Sequence, residues 1–258
     1  MSVAASNTVP SDGAPSGAVT ETRAELLPPQ QIDGRLAEAS IVYVPLGALE
    51  FHGPHLPIGL DGLTAHGICI QAAERRGGVV LPTIYQGTGG EHSRYPWTIM
   101  MPTGDAIAEN LRATVRRLAE MGVGTTVILS GHFADEQRAM LKALAEEWQQ
   151  DGSSQMRLVA TTLADREVSP VAPDHAGAYE TLMLGAAHPD LVHLEKLPNL
   201  EEHPSIDPGD NPYGAHRHEP SHPLWGVFGA DPRGIDLGRS SELLESTAEW
   251  IADLASID

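Results

Sequence analysis

The stretch LEFHGPHLPIGLD, from Leu49 to Asp61, gathers Glu50, His52, His55 and Asp61 into one short loop. Two carboxylates and two imidazoles make a hard-to-borderline donor set suited to a divalent metal. Glu50 and His52 stand two apart, so an extended backbone projects both to one side. Gly53, Pro54 and Pro57 then bend the chain, which can return Asp61 to the same point. The loop directly follows the apolar run from Ile41 to Leu46, which reads as a buried strand. A merely solvated loop has little reason to carry these residues there.

Three further positions add to the set. His132 follows an apolar run through a glycine and precedes a helical pattern. A lone histidine there more often serves as a hydrogen-bonded loop residue, but sharing a rim with Glu50, His52 and Asp61 makes it a candidate ligand. Glu180 lies on a stretch otherwise apolar or small (Ala176, Ala178, Leu182, Met183, Leu184), so it either turns to solvent or reaches a cation. His175, at the start of that helix, suits proton transfer, since an unperturbed imidazole titrates near neutrality. Hydrolysis gives a reason to assemble these groups. Two divalent ions ~3.5–4 Å apart can share a bridging hydroxide and polarise a carbonyl. Asp61 would bridge them, Glu50 and His132 would complete one ion, and His52 would bind the other.

The elements that must position these residues follow from periodicity. Strands are expected at 40–46, 78–84, 98–101, 125–130, 156–162 and 190–194, with a short one at 224–228. Helices are expected over Asp105–Met121, over Asp135–Gln149 with Asp135 as its cap, and from Gly238 onward. Such alternation predicts an α/β fold with a mostly parallel sheet and helices on both faces. Ligands of such sheets bind beyond the carboxyl ends of the strands. The Glu50/His52 loop, Ser130-Gly131-His132 and Glu91-His92 all fall at those ends. Residues 1–22, rich in Ser, Ala, Gly, Thr and Pro, are expected to be a disordered tail, because they bury too little to offset ordering entropy. Residues 198–223, rich in Pro, Asp and His, read as a long surface loop.

At 258 residues with 41% hydrophobic and 5% aromatic side chains, the chain suits an Ala/Leu/Val-packed core. A formal charge of −19 argues against nucleic-acid binding and against docking on anionic membrane. The single cysteine, Cys69, lies in an Ala/Ile-rich helical stretch and is expected to be a packed thiol. The first residues have neither a basic start nor an apolar core, and no run approaches the ~20 apolar residues of a membrane span. A cytoplasmic setting is the default expectation.

GALEFHGPHLPIGLD, GGEHSRYPWTI, LSGHFADE, DHAGAYET and GVFGADPR occur in order between Val42 and Arg233. In this the sequence resembles the creatininase (creatinine amidohydrolase) family. The resemblance implies a three-layer α/β/α fold as a single domain over 23–258, two divalent ions per subunit (Zn, Mn or Fe) and hydrolysis of amide C–N bonds. Family members include creatinine hydrolases, a formamide hydrolase of flavin and deazaflavin biosynthesis, and a peptidase that trims a ribosomal peptide precursor. Carried over by position, Glu50, Asp61 and His132 match the ligands of one ion, and His52 with bridging Asp61 part of the other. His175 matches the catalytic histidine and Glu180 the nearby acid. His55 and His92 also match family positions, as residues that orient a ligand or line the pocket. A homo-oligomer is implied, since the family often forms hexamers.

Departures from the pattern are informative. Creatinine hydrolases carry a glutamate two residues after the metal histidine, where this chain has Ala134, leaving Glu180 or water to fill that ligand position. Their tryptophan-bearing loop before the catalytic histidine corresponds here to Ala164–Asp174, which has no aromatic residue. Trp97 stands where glycine is common, and Ser130 and Asp135 replace asparagines. The expectation is a metal-dependent amidohydrolase acting on a small or peptide-like amide other than creatinine. Two alternatives are a metal-binding or interaction protein that has lost turnover, and a metal-dependent lyase or isomerase. For His203, His216, His218 and His222, surface histidines are favoured over a second metal cluster.

Overall fold

The computed structural model describes residues 21–256, so the expected tail lies outside the described residues except for its last two positions. Thr22 is already in the fold: it is buried, and its carbonyl accepts the Val80 N–H at 2.9 Å.

Five strands, β1 (Ile41–Gly47), β2 (Val79–Val80), β3 (Ile84–Tyr85), β4 (Thr125–Ser130) and β5 (Arg157–Thr162), form one parallel sheet in the order β2-β1-β4-β5. β3 continues the β2 side along the far end of β1. Six helices, α1 (Pro29–Glu38), α2 (Leu60–Arg76), α3 (Asp105–Glu120), α4 (Asp135–Asp151), α5 (Ala178–Ala187) and α6 (Ser240–Ala255), cover the sheet. Every residue of β1 is buried, as a parallel strand covered on both faces requires. Its side chains alternate between two cores. Tyr43 joins Val127, Ile68 of α2 and Ile251 of α6, whereas Val42, Val44 and Leu46 join Leu111 of α3 and Leu141 of α4. This is the expected three-layer α/β/α arrangement. A smaller cluster, with Leu56, Leu60, Leu184 and Val227, sits under the loops at one end of the sheet. Cys69 is a buried free thiol, as expected.

Several expected strands are absent among the described residues. The run at 78–84 splits into β2 and β3. The Tyr43 carbonyl faces that side, accepting the Leu81 N–H at 2.9 Å, so by alternation Pro45 faces it too. Proline has no N–H to donate, and the ladder is interrupted where its donor is missing. At 98–101 only isolated bridges form, Ile99 to Leu49 and Met101 to Thr88, because Thr98 turns its hydroxyl to the Phe51 N–H. Residues 190–194 wind into 3-10 turns, the first opened by Pro189. At 224–228, Gly226 takes a positive φ of 72° and leaves a single bridge from Phe228 to His175. Asp135 does not cap α4 but stands in its first turn, with Ala134 at the cap position.

From β1 the chain crosses through α2 to β2 on one side, and from β4 through α4 to β5 on the other. The crevice between the carboxyl ends of β1 and β4 is therefore the point where strand order reverses, the favoured ligand position of open α/β sheets.

Candidate metal centre

Every sequence-expected site residue lies in this crevice. Glu50 and His52 leave the end of β1, Asp61 occupies the first turn of α2, His132 follows β4, and Glu180 occupies the first turn of α5 just after His175. Asp61 reaches the crevice because α2 starts against two glycines. A Cβ on Gly47 would collide with the Gly62 nitrogen, and one on Gly131 with the Asp61 carbonyl oxygen. The helix N-terminus also favours the Asp61 carboxylate.

Donor atoms of Glu50, Asp61 and His132 lie within 4.8 Å of one another, and so do those of His52, His175 and Glu180. His132 Nδ1 is 2.9 Å from Glu50 Oε2 and 3.5 Å from Asp61 Oδ2. His52 Nε2 is 3.2 Å from Asp61 Oδ1 and 3.5 Å from Glu180 Oε2. Glu50, His52 and Asp61 are each 1% exposed. Yet Glu50 Oε2, His52 Nε2 and Asp61 Oδ1 have no hydrogen-bond partner. Buried polar atoms are normally satisfied, so these approaches lack the alignment of hydrogen bonds and suit lone pairs converging on shared cations.

The imidazoles are held by main-chain carbonyls. His52 Nδ1–H donates to the Glu50 carbonyl at 2.9 Å, His132 Nε2–H to that of Thr88 at 3.1 Å, and His175 Nε2–H to that of Phe51 at 3.0 Å. Each bond fixes the tautomer and leaves the other ring nitrogen bare toward the carboxylates, the arrangement typical of metal-binding histidines.

Electrostatics agree. Three buried carboxylates converge with no Lys or Arg in ion-pair reach among the described residues; only histidines approach them. Burial raises the Asp61 carboxyl, but the facing imidazoles of His52 and His132 draw it down to about 2. Burial likewise opposes charge on His52, yet Glu180 and Asp61 push it up to about 10, so the pocket favours a positive charge at Nε2, whether a proton or a metal ion supplies it. Glu180 is raised well above the carboxylate range, first by burial and then by Asp61, with His52 pulling the other way. Burial also holds His175 well below its ordinary value, so it is neutral and its bare Nδ1 is a base. The carboxylates thus draw positive charge to the ring nitrogens that face them, a demand that protons or divalent cations at this point can meet.

Sequence reasoning left His92 outside the ligand and catalytic sets, although it noted Glu91-His92 at the rim. The structure places His92 Nδ1 against Glu50 Oε1, with its ring 4.1 Å from that of His175. His175 also groups with Glu50 and His92, so its position is competent for ligation as well as for proton transfer. His55 stays out of the cluster. It hydrogen-bonds the Thr181 hydroxyl at 3.2 Å, and burial, with repulsion from His52, lowers it to about 3. Trp97, which departs from the glycine of the resembled pattern, adopts a φ of 61°, a left-handed conformation that favours glycine.

The segment read as surface is partly interior. Asp207, His216 and His222 converge there, but Arg217 occupies both Asp207 oxygens and brings a cation into the cluster. His218 accepts a 2.6 Å hydrogen bond from the Tyr95 hydroxyl, and its ring lies 4.5 Å from that of Phe228.

Comparison with known proteins agrees with this architecture. The family model described as "Creatininase: Creatinine amidohydrolase" matches residues 25–255. Creatinine amidohydrolase of Pseudomonas putida is 25% identical over 191 residues, covering 65% of this chain and 72% of that protein. A mycofactocin precursor peptide peptidase of Mycolicibacterium smegmatis is 30% identical over 164 residues, covering 61% of this chain and 62%, under two thirds, of the peptidase. A crystal structure of creatinine amidohydrolase superposes with a TM-score of 0.71 over 91% of this chain and 96% of that one, at 24% identity. A manganese form of creatininase gives 0.71 over 91% of this chain and 97% of its own, at 23% identity. With the family model spanning nearly all the described residues and the same fold around the crevice, the chain belongs to the creatininase family of amidohydrolases.

Proposed function

We propose that this protein is a metal-dependent hydrolase that cleaves a C–N amide bond of a small or peptide-like substrate other than creatinine. One observation carries this reading: three buried carboxylates and two bare imidazole nitrogens converge without a fixed cation, and three of their atoms are unpartnered. That donor set fits two divalent ions. Glu50, Asp61 and His132 would hold one, and His52 and Glu180 the other, with Asp61 between them. Glu180 thereby fills the position left by Ala134. Zinc, manganese and iron all suit such carboxylate and imidazole donors. When bound, the ions supply Lewis acidity toward the amide carbonyl and a lowered pKa for water.

The chain's own residues do the rest. The carboxylates are nearly sealed, and the outward side of the cluster is formed by His92 and His175, whose side chains are each 14% exposed. An amide enters on that side, beside Phe228 and Tyr95. His175, its Nε2–H fixed to the Phe51 carbonyl, takes a proton from the attacking water at Nδ1. It passes that proton to the departing nitrogen, so that hydroxide ends on the acyl carbon and hydrogen on the amine. The low basicity imposed by burial makes the protonated form a ready acid for this second transfer.

The test combines elemental analysis of the purified protein with a panel of formamides, short peptides and creatinine, run in water enriched in oxygen-18. Label in the acyl product supports hydrolysis. Product without label would favour a lyase or isomerase, and metal binding without turnover of any amide a binding protein. The homo-oligomer and the cytoplasmic setting belong to the same proposal; light scattering and cell fractionation test them.

A further inference from the structure

The segment between α5 and α6 supplies no metal ligand or proton-transfer group in the chemistry assigned above, yet it carries Arg217, the largest fully buried side chain among the described residues. All three nitrogens of its guanidinium are engaged. Nε and Nη2 donate to the two Asp207 oxygens at 2.7 and 2.6 Å, and Nη1 donates to the carbonyls of Val227 and Gly229 at 3.0 and 3.4 Å. Asp207 is itself braced by His216 at 2.7 Å. The two carbonyls bracket a single residue, Phe228. That residue pairs with His175 in both directions, His175 N–H to Phe228 carbonyl at 2.8 Å and Phe228 N–H to His175 carbonyl at 2.7 Å.

His175 needs such external support. The next residue, Ala176, has a φ of 57°, a conformation that persists in a non-glycine residue only where the surroundings over-determine it. Glu180 accepts the Ala176 N–H at 2.6 Å, and the Ala230 carbonyl accepts the Ala178 N–H at 3.1 Å. The Phe228 bridge completes the set, and Arg217 is what clamps it.

We propose that Arg217, anchored by Asp207, is a positioning residue that sets the direction of His175 Nδ1 through the Val227–Gly229 strap. An ion pair serving stability alone has no need to bracket the one residue that bridges to the proton-transfer group. The inference rests on the role given to His175 above, and its test is chosen to fail independently of that role.

The experiment uses the full-length chain loaded with Zn²⁺ and labelled with ¹⁵N-histidine, and compares wild type with Arg217→Lys and Asp207→Asn. Long-range imidazole spectra should show wild-type His175 as a single Nε2–H tautomer. In both variants the His175 signal should move toward a tautomer mixture while His52, His132 and zinc content stay unchanged. On any amide the panel identifies, kcat should fall by roughly 10–100-fold, as small misplacements of a reacting group do, with little change in KM. Those losses should vanish in a His175→Ala background. A His175 signal identical to wild type in both variants would overturn the proposal, as would equal kcat losses with and without His175. Loss of the whole fold in the near-isosteric Asp207→Asn would also overturn it, by showing a stability element instead. Failure of the hydrolase reading would show separately, as absent zinc or absent turnover.

Discussion

At the scale of single residues, the proposed roles divide the cluster into groups that would hold a cation and one, His175, that would move a proton. Asp61 stands between His52 and His132, at 3.2 and 3.5 Å from their bare nitrogens. Asp61→Ala should therefore remove most of the bound metal; elemental analysis showing unchanged content would sink the dinuclear arrangement. His132→Ala should lose metal and activity together. His175 is different, because its Nδ1 lies 4.0 Å from Glu50, farther than any contact of His132 or His52 named above. His175→Ala should keep near-normal metal and fold while losing ~10²–10⁴-fold in rate, the usual contribution of a positioned acid–base group. Metal stripped from that variant would make His175 a ligand. The convergence of these residues was readable from residue type and spacing because Glu50, His52 and Asp61 share one loop. His92 was not separable from a rim residue, because its contact with Glu50 spans distant parts of the chain and depends on tertiary approach.

At the scale of elements, strand ends and a helix start create the site. Periodicity anticipated β1, β4, β5, α3, α4 and α6 to within a few residues, since each buries a regular apolar face. It failed where the signal was tertiary. The β2/β3 split depends on the missing Pro45 donor, and Arg217 in the polar 198–223 segment is buried by its partner Asp207 and not by hydrophobicity. The close approach of α2 to β4 gives an element-scale test. Gly131→Ala places a methyl group against the Asp61 main chain, where no flexible side chain can yield. Overpacking of this kind costs ~1–3 kcal/mol, occasionally more. The variant should melt earlier and lose metal, because Asp61 moves with the helix; thermal denaturation and elemental analysis read both. Retained metal at wild-type Tm would mean that the contact is looser than described.

At the scale of the whole molecule, an acidic chain has buried several acids at one point in its sheet. Ions that bind only the folded state stabilise it by mass action, ~4 kcal/mol at a thousandfold excess over Kd. For a chain of this size each kcal/mol is worth ~2–4 °C. Chelation should thus lower Tm by on the order of 10 °C, and Zn or Mn should restore it. A Tm indifferent to chelator would argue that protonated histidines alone neutralise the cluster. Among the described residues no helix is long and apolar enough to cross a membrane. On specificity, Ala134 and the aromatic-free loop at 164–174 lead us to expect negligible turnover of creatinine even with added Mn or Zn. A kcat/KM of roughly 10⁴ M⁻¹s⁻¹ or above on creatinine would show that the pocket has been misjudged.

The three carbonyls that orient His52, His132 and His175 belong to Glu50, Thr88 and Phe51. Because these acceptors are peptide groups, the orientation of the rings is encoded in the path of the chain and not in the identity of the side chains at those positions. A substitution at 88 should therefore leave the His132 ring in place, provided the path is kept. Thr88→Ala should bind metal like the wild type, although a residue beside a proposed metal ligand would ordinarily be expected to be sensitive. The aim of the imidazoles is thus held by the backbone path.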